Sequence, residues 1–259
     1  LSPDGKHFVN QDSTDLQRKI IIEPNGRQVT SFRIAGGYTF EGWRDSNTLL
    51  FTTPQSFRRL HSYSIADGRS RVLIDSLARV TFPEWSSDGK RISVIHPKNF
   101  GSRYELITLD ASGANQRHLP LKRVHGTLNL WSPDGRYMAY RSQSRAGVHV
   151  NVLEIASRRE RTLAQLRPDA QGAPLVWSVD SRSLIITQTR DSAGARRTGI
   201  RAYDVASGSS RVLADLPVTP GEIVVPLDET SMVVRQSQPW TVRVAPYSNP
   251  SGGVTVLSG

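Results

Sequence analysis

The residues of this 259-residue chain best suited to chemistry are basic, and their spacing matters more than their number. Six positions before Trp43, Trp85, Trp131 and Trp177 stand Gly37, Arg79, His125 and Gln171. A guanidinium and an imidazole at matching places can bind an anion, and the imidazole can also act as base or metal ligand. Tyr38 and Glu222 fall beside the same series. A second set, Arg58, Arg59, Lys98, Arg103, Arg141, Arg145, Arg190, Arg196, Arg197 and Arg235, falls in segments read as the loops between second and third strands. Carboxylates are few there, chiefly Asp12 and Asp191. Such a cluster would concentrate positive potential and steer acidic partners.

Other chemistries lack their residues. The chain has no cysteine, so it has no thiolate nucleophile, disulfide or thiolate metal site. The six histidines, His7, His61, His96, His118, His125 and His149, form no H-E-x-x-H or similar spacing. There is no G-x-S-x-G nucleophile elbow and no D-x-D-x-D-G calcium loop, and Gly36-Gly37 lacks the spacing of a phosphate cradle. We therefore expect no cofactor and no enzymatic activity. Nucleic-acid binding by stacking would need aromatics among the basic loops, and only Phe57 and Phe100 stand there. A nucleic-acid partner is not expected.

The elements that position these residues repeat. Leu1-Ser2-Pro3-Asp4-Gly5-Lys6 returns as Trp85-Ser86-Ser87-Asp88-Gly89-Lys90, Trp131-Ser132-Pro133-Asp134-Gly135-Arg136 and Trp177-Ser178-Val179-Asp180-Ser181-Arg182. A shortened copy begins at Trp43 and a degenerate one at Pro226, so anchors fall near 1, 43, 85, 131, 177 and 226. A period in the forties signals a repeat architecture. Each unit carries four short segments with period-two alternation and β-branched enrichment, which predict strands. The anchor reads as the turn between the first two. Its aspartate (Asp4, Asp88, Asp134, Asp180) caps nearby amides, and its glycine takes the left-handed conformation. The aromatic before it is expected to wedge between neighbouring sheets.

These features predict an all-β six-bladed β-propeller of four-stranded antiparallel blades, in one domain over residues 1–259. The first blade lacks its N-terminal strand, because its anchor begins at Leu1, and upstream residues are expected in the natural protein. Residues 253–257 read as the last strand of the sixth blade. The aromatic-Ser-Pro-Asp-Gly-Lys anchors resemble the WD40-like (PD40) repeat of TolB-type β-propellers, which also occurs in relatives of prolyl oligopeptidase. The resemblance covers nearly the whole chain. The α/β domain that precedes the propeller in TolB has no counterpart here, nor does a hydrolase domain.

That resemblance implies a binding or scaffold module in a bacterial envelope or sensor complex, in the periplasm or otherwise outside the cytoplasm. It also implies a protein partner, with an acidic one suited to the net charge of +10. The channel-mouth set comprises Tyr38, Arg79, His125, Gln171 and Glu222, and the loop set adds Arg58, Lys98 and Arg145. Some propellers of this repeat type resemble sugar-acid lyases, which gives an alternative. In it, His125 would be metal ligand or base and Arg79 the carboxylate clamp for a small anionic ligand. No stretch of the sequence is long and apolar enough for a membrane span.

Overall fold

A computed structural model describes every residue except 1, 3, 13, 16–17, 34–38, 53–57, 78–80, 99–102, 122–123, 168–173, 193–194, 220, 238 and 259. Six antiparallel sheets follow one another in chain order. The first has three strands, β1 (Phe8–Gln11), β2 (Arg18–Ile22) and β3 (Gln28–Arg33). The second comprises β4 (Thr39–Trp43), β5 (Thr48–Thr52), β6 (Arg58–Ser64) and β7 (Arg69–Leu77). The third comprises β8 (Thr81–Trp85), β9 (Arg91–Lys98), β10 (Arg103–Asp110) and β11 (Arg117–Leu121). The fourth has β12 (Val124–Trp131), β13 (Tyr137–Ser144), β14 (Gly147–Glu154) and β15 (Glu160–Leu166). The fifth has β16 (Leu175–Trp177), β17 (Ser183–Ser192), β18 (Ala195–Asp204) and β19 (Ser210–Pro217). The sixth has β20 (Glu222–Pro226), β21 (Ser231–Ser237), β22 (Trp240–Pro246) and β23 (Val254–Ser258). These are the six blades expected from the anchors, with the first blade one strand short. By contacts the chain forms two compact units, Leu1–Trp131 and Ser132–Gly259.

The anchor folds the same way four times. Ser2 Oγ donates to Asp4 Oδ1 at 2.6 Å and accepts the His7 amide at 2.9 Å, while Asp4 Oδ1 takes the Lys6 amide. Ser86–Asp88, Ser132–Asp134 and Ser178–Asp180 repeat this at 2.6, 2.6 and 2.7 Å. Each motif satisfies turn amides that would otherwise be unpaired, which is why a Ser and an Asp two residues apart recur there. The fifth anchor position needs a left-handed backbone. Gly89 and Gly135 hold φ of 65° and 67°, but in the fifth blade Ser181 takes the same conformation at 63°. Its hydroxyl accepts the Asp134 amide at 3.0 Å, so the strained serine ties the fifth anchor to the fourth.

Packing between blades buries the apolar strand faces. In unit 1, Ile21 and Phe32 of the first blade meet Leu49, Phe51 and Tyr63 of the second. Leu50, Leu60, Leu73 and Ile74 of the second then meet Ile92, Val94, Ile107 and Leu109 of the third. In unit 2, Ile185, Ile200, Ala202, Ala214 and Leu216 of the fifth blade pack on Val224, Met232, Val234 and Ala245 of the sixth. The anchor aromatics do wedge between sheets. Trp131 is 5% exposed and its indole Nε1 donates to Ser93 Oγ in the third blade at 2.8 Å. Trp177 stacks on Tyr137 of the fourth blade at 6.1 Å between centroids. Trp85 packs on the cluster that contains Leu50.

Candidate functional site

Strand alternation sorts the loops. In a four-stranded antiparallel meander the turns joining strands one to two and three to four share one end. The turns joining strands two to three lie at the other, together with the crossings to the next blade. Arg145 belongs to the second group, in the β13–β14 turn of unit 2, and its side chain is exposed. Ser144 Oγ, which accepts the Ala146 amide and bonds His149 Nε2 at 2.8 Å, shapes that turn. In the fifth blade the β17–β18 hairpin brings Arg190 opposite Arg197 and Asp191 opposite Arg196. Like charges directly opposed destabilise a hairpin. Here Asp215 of β19 resolves the conflict. It accepts Arg190 Nη2 at 2.8 Å and Arg197 Nε at 3.3 Å. Gly199 stands between them on β18; a Cβ there would lie 3.2 Å from Arg190 Nη1. The missing side chain leaves the path by which Arg190 crosses the middle strand.

Carboxylates therefore reach this end from fourth strands, which a loop-by-loop reading of the sequence overlooks. Asp75 does the same in unit 1, accepting Arg59 Nε at 2.7 Å. Arg145, Arg196 and Arg235 remain exposed and have no ion-pair partner among the described residues. Trp240, 39% exposed, stands on the same face of the sixth blade as Arg235, two residue pairs along. That face carries an apolar row. Ile223, Arg235, Val242 and Leu257 pair in register across all four strands. Ile223 is 50% and Leu257 55% exposed.

Arg141 is different from the other basic residues. The sequence suggests a loop position, but the structure places it within β13, opposite Val150 and only 4% exposed. Burial lowers its guanidinium pKa below the ordinary arginine value. It therefore contributes nothing to a basic surface.

Two carboxylates on first strands complete the picture in unit 1. Glu41 sits at a bulge in β4, where the register shifts between Phe40 and Gly42, and it accepts the Thr52 hydroxyl. Glu84 precedes Trp85 on β8, and these two strands are neighbours. Glu84 stays open to solvent yet is crowded by protein. That partial desolvation, with repulsion from Glu41, raises its carboxyl to about 7. Its signal in the sequence was an acid directly before the tryptophan, where Gly42, Leu130 and Val176 stand in the other blades.

No protein-family model matches the chain, and no curated protein matches it. Solved structures do match in shape. TolB from Acinetobacter baumannii is 14% identical, over 96% of this chain and 67% of its own, at a TM-score of 0.53. The fold is a TolB-like β-propeller. An oligogalacturonate lyase in complex with manganese aligns over 94% of this propeller and 74% of its own length (14% identity, TM-score 0.60). Dipeptidyl peptidase 4 from Porphyromonas gingivalis aligns over the whole propeller but 46% of its own length (12% identity, TM-score 0.65). Likeness at such identity establishes the fold, and these proteins use it for different tasks.

The channel-mouth residues inferred from sequence are only partly placed. Tyr38, Arg79 and Gln171 lie outside the described residues. His125 is on β12, Arg58 opens β6 and Lys98 closes β9, with only their backbones described. Glu222 opens β20, and its carboxylate accepts both the amide and the hydroxyl of Thr219 at 3.0 Å. It thus ties down the crossing between the fifth and sixth blades. The remaining histidines have separate settings. His7 stacks on Trp43, His61 and His96 are buried, His118 meets Glu105 at 3.1 Å and His149 meets Ser144. Among the described residues no three metal-ligating side chains converge, and no helix is long and apolar enough to cross a membrane.

Proposed function

We propose that the protein is a non-enzymatic docking module whose basic hairpin end receives an acidic protein partner. The observation that carries this reading is the set of exposed arginines in unit 2 with no carboxylate partner among the described residues, Arg145, Arg196 and Arg235, with Trp240 beside the last. Arginine and tryptophan are the side chains that most often dominate protein interfaces. Arg190 and Arg197, held by one shared carboxylate, retain one net positive charge and a fixed geometry. A partner's carboxylates meeting such a surface would be steered at low salt and released as salt rises. The TolB-like fold supports a place in an extracytoplasmic bacterial complex. The sugar-acid reading has no comparable support, since Arg79 and the His125 side chain lie outside the described residues.

The test is a pull-down from a bacterial envelope extract with the folded protein and an Arg145→Glu/Arg196→Glu variant, at low and moderate salt. A partner captured by the parent and lost by the variant is the expected result. Undiminished capture by the variant would remove the basic end from the interface. Absence of any specific partner would remove the docking reading itself.

A further inference from the structure

The outer rims of the blades are guarded, with one exception. Each sheet ends in an outer strand whose far side pairs with no described strand: β3, β7, β11, β15, β19 and β23. Five of these carry a charge or a proline, such as Arg33 in β3, Arg71 in β7, Pro120 in β11, Arg161 in β15 and Arg211 in β19. Residues of these types keep an open edge from pairing with another chain. β23 reads Val254-Thr255-Val256-Leu257-Ser258 and has neither. Its bulge against the third strand does not set it apart, because β3, β7, β15 and β19 are bulged there as well.

The same strand is apolar and open. Of the eleven large apolar side chains that stand exposed among the described residues, six belong to the sixth blade and its turns, so apolar surface is concentrated there. Three of them are on β23, where Val254 is 73%, Val256 56% and Leu257 55% exposed. The strand is nonetheless held firmly. Arg243 on β22 donates from Nη1 to the Ser251 carbonyl at 2.9 Å, and Asn249 Oδ1 accepts the Gly252 amide at 3.0 Å. Gly253 then enters β23 with a φ of 111°, where a Cβ would collide with the Val244 carbonyl oxygen. That close approach seats β23 on β22. Its outer edge is thus ordered before anything pairs with it, which lowers the entropy lost on association.

Charge and area decide the occupant. A strand paired with its own copy brings each charge it carries close to the identical charge, which is unfavourable. β23 carries none, in a chain of net charge +10. An acidic strand from another protein would find its counter-charges at the basic hairpins instead. A two-fold axis sets two such edges antiparallel and closes on two copies. The three exposed side chains leave roughly 300 Å² open on each copy, which places the contact below the size of a stable interface and among weak, reversible ones. We infer that β23 pairs antiparallel with β23 of a second copy of this chain, joining two four-stranded blades into one eight-stranded sheet. The contact is independent of the proposed docking end, since it uses none of the arginines or the tryptophan that carry that reading.

The experiment is sedimentation equilibrium of the folded protein at concentrations from about 5 to about 500 µM, at low and moderate salt. A reversible monomer–dimer equilibrium with a Kd on the order of 100 µM is expected. Salt should leave it unchanged or strengthen it, because screening removes the repulsion between two copies of net charge +10. Amide hydrogen exchange over residues 254–258 should slow as protein concentration rises. Val256→Lys supplies the kind of charge found on the other rims and should weaken association about tenfold or more, with an unchanged Tm. Should that variant prove unstable, the exchange pattern of the parent protein still decides. A monomer at every concentration, a dimer indifferent to Val256→Lys, or concentration-dependent protection confined to other blades would each overturn the inference.

Discussion

Removing one hydroxyl in the third blade should weaken the fold more than its size suggests. Ser93 is fully buried on β9, and its Oγ receives the indole N–H of Trp131, itself 5% exposed, at 2.8 Å. Ser93→Ala leaves that donor buried without its acceptor, which costs about 1–3 kcal/mol. Trp131→Phe removes the donor and the larger ring together. In that background Ser93→Ala leaves no indole donor unpaired, although the hydroxyl still gives up its 3.4 Å bond to the Glu84 carbonyl, so the two changes should be non-additive by about 1 kcal/mol. The second blade supplies an internal control. There Leu50 stands where Ser93 does, and the Nε1 of Trp85 makes no hydrogen bond to a described residue. Trp85→Phe should therefore lose ring packing alone. Urea titrations followed by circular dichroism measure these values, with an unchanged slope confirming that the unfolding transition is the same. At this chain length each kcal/mol corresponds to about 2–4 °C in Tm. A Ser93→Ala variant as stable as the parent, or strictly additive changes, would refute the claim that this hydrogen bond joins the blades.

Ser181 combines a left-handed backbone with a hydroxyl that accepts the Asp134 amide. Ser181→Gly should be nearly neutral, because relief of about 1–2 kcal/mol of backbone strain offsets the lost hydrogen bond. Ser181→Ala keeps the strain and loses the bond, so its Tm should fall clearly below that of the glycine variant; equal values would contradict this account. Glu84 has a folded-state pKa raised from 4.5 to about 7, chiefly by desolvation and then by Glu41. The folded chain thus holds a proton that the unfolded chain has released. Stability from this group is complete below pH 4.5 and is lost as pH rises through 7. Solvent contact moderates the effect, and Glu84→Gln should flatten the Tm–pH curve over that window. An unaltered slope in the variant would count against the assignment. At the acid end, Asp180 has a lowered pKa through the Ser178 hydroxyl and the Arg182 amide, so its contribution disappears as pH falls below 3.8. Asp180→Asn should reduce the loss of Tm on acidification, read from melts across that range.

Much of the fold was legible because its defining interactions are short-range. The Ser–Asp anchor closes within six residues through bonds among Ser86, Asp88, Lys90 and Arg91, so its spelling survives in each copy that keeps the turn. The strand count of the first blade followed from where its anchor falls. Side-chain destinations were less legible. Arg141 looked like a loop cation because nothing local distinguishes it, yet the pairing of β13 with β14 buries it. The Asp215 carboxylate that serves Arg190 lies 25 residues away and two strands across, on a path opened by Gly199. Among the residues proposed for the channel mouth, only Glu222 has a described side chain, and it is committed to Thr219.

By itself, then, the sequence determined six repeated sheets, the turn between the first two strands of each and the anchor tryptophans that pack on a neighbouring sheet. These depend on hydrogen bonds and alternation within a few residues. The tertiary structure alone decided which arginines keep their charge at the surface and which indole finds an acceptor. Those outcomes depend on what the adjacent strand or blade places opposite each side chain, and those residues lie tens of positions away in the chain.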